Sequence, residues 1–138
     1  MIHIENDTYW IDGFDRRRAQ IGLSKADLAR RSGMSLPTVN RFLAGKEPRP
    51  SVQVVQAIAN TLGLKVQLGA EIEVIAPLDP AAFRAQAALA KAERLIRLVQ
   101  GSMALESQGI ETKELEALKQ QTVHELLAGS PRRLWSEE

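Results

Sequence analysis

Cysteine is absent from this chain. Its absence excludes a disulfide framework, a thiol nucleophile and a thiolate metal site. Histidine is nearly absent, with only His3 and His124, far apart in sequence. His124-Glu125 opens like the helix of a zinc protease, but Ala128 stands where the second ligand is needed, so His124 reads as an ordinary helix residue. No glycine-rich phosphate loop follows a strand, and no nucleophile–base set stands out. These absences argue against an enzyme, a metal centre and a bound cofactor. No apolar run approaches the ~20 residues of a membrane span. The start, MIHIENDTYW, has neither the basic end nor the long apolar stretch of a secretion signal. A bacterial-type cytoplasm is the expected location, with no membrane partner.

What is present is an ordinary globular composition, 44% hydrophobic and 25% charged. The 138 residues suffice for one domain plus an extension, or for two small units. A net charge of +1 hides an uneven distribution. Residues 1–70 hold ten Lys/Arg against six Asp/Glu, whereas residues 71–138 hold eight against eleven. Residues 16–49 alone hold nine basic groups and two acidic ones. A basic module joined to an acidic one suggests two partners, the first polyanionic. Ordinary solvated faces would give the same counts.

The stretch Ser24–Gly45, SKADLARRSGMSLPTVNRFLAG, organises the rest. Ser24 can cap a helix whose stripe is Ala26, Leu28 and Ala29. Gly33 then ends it at a position suited to a left-handed backbone. Ser35 can cap a second helix, which tolerates Pro37 in its first turn because that amide has no intrahelical partner. Val39 and Phe42 or Leu43 face back, leaving Leu36, Pro37, Asn40 and Arg41 outward. A short helix, a glycine turn and a second helix with a polar outer face make a helix-turn-helix, which lays its second helix in a DNA major groove. Residues 22–63 resemble the Xre/Cro-type, phage-repressor-like helix-turn-helix family. The matching residues are Leu23-Ser24, Leu28-Ala29, Gly33, Ser35, Thr38-Val39, Leu43, Gly45-Lys46, Pro48, Ile58-Ala59 and Leu62-Gly63. The resemblance implies a lambda-repressor-like domain over roughly residues 12–68. It also implies DNA-binding residues: Lys25, Lys46 and Arg49 on phosphates, and Ser35, Leu36, Pro37, Thr38 and Asn40 at or near base edges. Arg41 is a candidate for guanine or phosphate. Leu36 and Pro37 can offer a base only an apolar contact to a thymine methyl, or shape.

Around this stretch, Met1–Asp7 reads as a strand or an arm. A helix from Thr8 or Asp12 to Ile21 buries Ile11, Phe14 and Trp10. It carries Arg16-Arg17-Arg18, a set of phosphate contacts or a solvated surface, the latter for at least one of them. Ser51 caps a helix to Leu62 whose buried stripe is Val54, Val55, Ile58 and Leu62. Residues 64–76, LKVQLGAEIEVIA, alternate apolar and polar as a β segment does. A two-residue hairpin loop at Gly69-Ala70 would set Leu68 opposite Glu71, mixing the faces. A three-residue loop restores parity but places Gly69 poorly. A long strand pairing with its copy in a second chain, Lys65 opposite Glu73, is preferred over the hairpin.

Beyond Pro77–Pro80, an alanine-rich helix runs to about Glu106, with Gly101 as a point of bending. Ser107-Gln108-Gly109 makes a turn, and a last helix from Thr112 to about Ala128 completes an antiparallel helical hairpin. Arg132, Arg133, Leu134 and Trp135 form a tail for which packing on its own hairpin and contact with a protein partner are both open. The fold class is thus mainly α: a lambda-repressor-like domain, a β segment and a C-terminal helical hairpin, divided as residues 1–76 and 77–138. The function expected is sequence-specific repression through double-stranded operator DNA by a homodimer. The favoured role is the antitoxin of a toxin–antitoxin pair, with a protein toxin as second partner. The alternative is a stand-alone regulator whose C-terminal helices dimerise or sense a ligand.

Overall fold

Four glycines set where the first helices stop. In the computed structural model, which describes residues 9–47, 49–105 and 112–137, α1 (Tyr9–Ile21), α2 (Lys25–Ser32), α3 (Leu36–Leu43) and α4 (Val52–Thr61) come first. Gly22, Gly33, Gly45 and Gly63 follow them, all with φ between 69° and 75°. At the end of α2, Gly33 N donates to Arg30 O at 3.3 Å and Met34 N to Ala29 O at 3.0 Å. This double closure satisfies carbonyls that a helix end otherwise leaves orphaned. A side chain at Gly33 would meet nothing within 4 Å, so the backbone angle, not space, demands glycine there. Ser24, Ser35 and Ser51 open the next three helices, accepting from Asp27 N, Thr38 N and Val54 N at 3.0, 3.2 and 3.2 Å.

The chain forms two compact units, residues 1–80 and 81–138. In the first, Trp10, Ile11, Phe14, Ile21, Leu23, Leu28, Val39, Phe42, Val55, Ile58, Leu62 and Leu64 make the core. Arg17 is buried among them, 4% exposed, and its Nε donates to Leu62 O at 2.9 Å. That carbonyl lies at the C-terminal cap of α4, where a cation is favoured. Burial pulls the Arg17 pKa below its ordinary value, while the charge of Asp79 acts the other way. Arg18 is held too, by Asp15 at 2.8 Å and by Leu23 O at 2.9 Å. Of the three consecutive arginines two therefore serve the fold, and Arg16 stays exposed.

The β segment corrects an expectation. Strands β1 (Lys65–Leu68) and β2 (Ile72–Ile75) pair antiparallel within one chain, not as one long strand across two. The register sets Val66 opposite Val74 and Leu68 opposite Ile72, with Gly69, Ala70 and Glu71 as a three-residue loop. The odd loop length preserves parity, so the apolar pairs share one face. Gly69 needs no left-handed angle there, since it is not among the positive-φ glycines, and the objection to this loop fails. Leu64, just before β1, closes the core beneath the hairpin.

The second unit holds α5 (Pro80–Leu105, its first residue belonging to the first unit), α6 (Thr112–Ala128) and α7 (Pro131–Trp135). α5 continues through Gly101 as one unbroken helix. The turn expected at Ser107-Gln108-Gly109, like the segment Met1–Asp7, lies outside the described residues. Arg84 Nη2 donates to Leu127 O at 3.4 Å, and Glu93 acts on the charge of Lys119, so α5 and α6 run antiparallel. Ala88 and Ala92 are fully buried, where small side chains allow close approach. Lys91 is buried as well; its Nζ donates to Arg133 O, and to Ser136 O at 3.1 Å. A cation thus sits on the final carbonyls of α7, as the helix dipole favours.

Of the two readings left open for the tail, Leu134 and Trp135 take packing on their own hairpin. Leu134 and Trp135 are 1% and 2% exposed, and the indole stacks on Phe83 at 5.9 Å between ring centroids. Apolar side chains at the chain end gain more by covering α5 than by remaining in water. Arg132 and Arg133 stay exposed. Trp135→Ala should lower the stability of the second unit by about 3–5 kcal/mol in denaturant unfolding; an unchanged midpoint would show that the indole packs elsewhere.

Candidate nucleic-acid interface

The rotation of α3 decides what this protein presents to solvent. Phe42 meets Phe14 at 5.3 Å and Trp10 at 6.1 Å between ring centroids, and Trp10 meets Phe14 edge-on at 5.5 Å. With Val39 and Leu43 also buried, three contacts fix the inner face of the helix. At about 100° per residue, Pro37, Asn40 and Arg41 must then point away from the core, with Leu36 at the edge of that face. All four are exposed.

The entrance of α3 is tightly made. The Ser35 hydroxyl accepts from Thr38 N and lies 2.8 Å from the Thr38 hydroxyl, so these two expected base-edge groups are bound to each other. Leu36 and Pro37 occupy the first helical positions between them. Asn40 and Arg41, one turn later, make no side-chain hydrogen bond among the described residues. They are the polar groups that the outer face leaves available.

Cations surround this helix in sequence, but only some are unengaged. Arg17 and Arg18 are tied down as above, and Arg30 bonds Asp27 at 3.1 Å. Lys25 at the start of α2, Arg41, and Lys46 and Arg49 in the loop after α3 are exposed. They make no ion pair among the described residues; Pro48, between the last two, lies outside them. Exposed lysines and arginines of this kind neutralise phosphates at little desolvation cost. Arg132, Arg133, Leu134 and Trp135 belong to the other unit.

The family model for the helix-turn-helix domain matches residues 15–68. Residues 15–68 are a helix-turn-helix domain of the Xre/lambda-repressor type. Neither a curated protein nor a solved structure matches the chain. The helix-turn-helix family is one of DNA-binding transcriptional regulators, not of enzymes. Among the described residues no helix is long and apolar enough to cross a membrane.

Reading the helix-turn-helix from sequence found its outer face and missed two residues that position it. Gly22 closes α1 as Gly33 closes α2, and Gly22-Leu23-Ser24 repeats the pattern of Gly33-Met34-Ser35. That repeat was the available signal. Arg17 carried none, because nothing local separates it from Arg16 and Arg18. Replacing Asn40 or Arg41 with alanine should cost about 1–3 kcal/mol on a preferred duplex and little on random DNA. Lys46→Ala should weaken both and lower the salt slope by about one. Normal binding by all three variants, with the slope intact, would mean DNA docks on another surface.

Proposed function

We propose that this chain is a sequence-specific repressor that binds operator DNA as a homodimer, and that its C-terminal unit binds a protein toxin whose operon it represses. The observation carrying the DNA part is the outward face of α3, bare of internal partners at Asn40 and Arg41, within a helix-turn-helix domain. Dimerisation is supported by the hairpin. Leu68 is 62% exposed at the end of its apolar face, and a two-stranded sheet leaves an unpaired edge on each strand.

The partner reading rests on the second unit's surface. Leu98 is 72% exposed, and Leu89, Val99 and Leu118 are exposed too. Apolar groups gathered on one small helical unit mark an interaction surface. The charge argument from sequence falls away, however. Divided where the chain folds, residues 81–138 hold eight Lys/Arg and eight Asp/Glu, so this unit is neutral. The excess acid of the second half lies in Glu71, Glu73 and Asp79, on the hairpin and the linker. A neutral apolar surface suits a second copy of the chain as well, which keeps the stand-alone regulator as a second reading.

Leu98→Glu separates the two. In a strain co-expressing the product of the adjacent gene, the proposal expects the variant to lose both growth protection and co-purification of that product, while the isolated protein stays dimeric on operator DNA. If the variant instead became monomeric and protection never depended on it, the stand-alone reading would hold.

A further inference from the structure

The first turn of α3 has an unusual shortage of polar groups. Its two hydroxyls, Ser35 and Thr38, are bonded to each other. Its second helical residue is Pro37, which has no amide hydrogen to offer. What faces outward there is the Pro37 ring and a Leu36 side chain that is 41% exposed. Helix-turn-helix domains bring this first turn to base edges.

Resting on the reading of α3 as the recognition helix, we propose that its first turn reads the C5-methyl group of a pyrimidine in the major groove. A base-edge donor or acceptor set against Leu36 and Pro37 would lose its water and gain no partner, which is costly. A C5-methyl would instead be buried against apolar surface, which is favourable. Methyl contact is therefore the favourable base-edge interaction open to Leu36 and Pro37. Asn40 and Arg41 lie one turn on, about 6 Å along the helix axis. The half-site thus joins a C5-methylated pyrimidine to a nearby purine, read by Asn40 on adenine or Arg41 on guanine. Thymine carries this methyl always, and cytosine carries it only when modified. Both present the same group to Leu36 and Pro37.

The test uses the intact chain and a duplex selected from a random pool. Each thymine is replaced singly by deoxyuridine, which removes only the methyl. One step in each half-site, or two adjacent ones, should then lose at least about threefold in affinity, and the other thymines should not respond. At that step 5-methylcytosine·guanine should bind better than cytosine·guanine; equal binding there would confine the reading to thymine and overturn the equivalence. Leu36→Ala should abolish the thymine–uracil difference at that step while keeping the salt slope. Since Leu36 is outside the core, its melting temperature should be near that of the parent. If Leu36→Ala does not fold, the deoxyuridine series on the parent chain decides alone. A selected duplex that tolerates deoxyuridine everywhere would overturn this inference and leave the repressor reading standing. Failure to select any sequence would overturn both.

Discussion

The contact among Trp10, Phe14 and Phe42 is what the DNA-binding unit depends on. A helix of eight residues, such as α3, has little stability of its own. Packing must supply it, and in doing so fixes its rotation. Three aromatic rings within about 6 Å of one another favour edge-on and tilted arrangements over free sliding. Because Phe42 is locked in this cluster, Asn40 and Arg41 have one direction left to them. The orientation of the outer face is thus a consequence of the core. Arg17 extends the constraint by tying α1 to the last carbonyl of α4, so the helix that holds α3 is itself held.

Much of this was legible because local chemistry dictates it. Serine caps, glycine stops and the apolar stripe of α4 act within a few residues, and the structure puts them where sequence reasoning does. Where distant residues compete, sequence reasoning was weaker. The hairpin of residues 65–75 ranks second in sequence because a three-residue loop places Gly69 poorly, a cost that the folded loop does not carry. The three arginines of α1 look alike in sequence, yet one is buried, one is bonded to Asp15 and one is exposed, according to the side of the helix each projects from.

The C-terminal unit shows the same limit more strongly. Lys91 stands in an alanine-rich helix, yet it lies buried against the carbonyl end of α7. Nothing near Lys91 in sequence announces a helix forty residues later. Trp135 likewise leaves packing and partner contact both open in sequence, and its stacking on Phe83 appears only in the fold. With Leu134 and Trp135 turned inward, the large apolar side chains that the second unit exposes are those of α5 and α6. The folded boundary matters as much, since it hands the acidic residues to the hairpin and leaves the second unit neutral.

The account rests on α3 occupying the major groove, and chemical probing of the bound duplex tests that most directly. Dimethyl sulfate methylates guanine N7 in the major groove and adenine N3 in the minor groove. On a selected duplex bound by the intact chain, guanine N7 positions within each half-site should be protected, while adenine N3 positions in the same half-site stay reactive. Guanines that remain fully reactive in the bound duplex, with adenine N3 protected instead, would contradict the account.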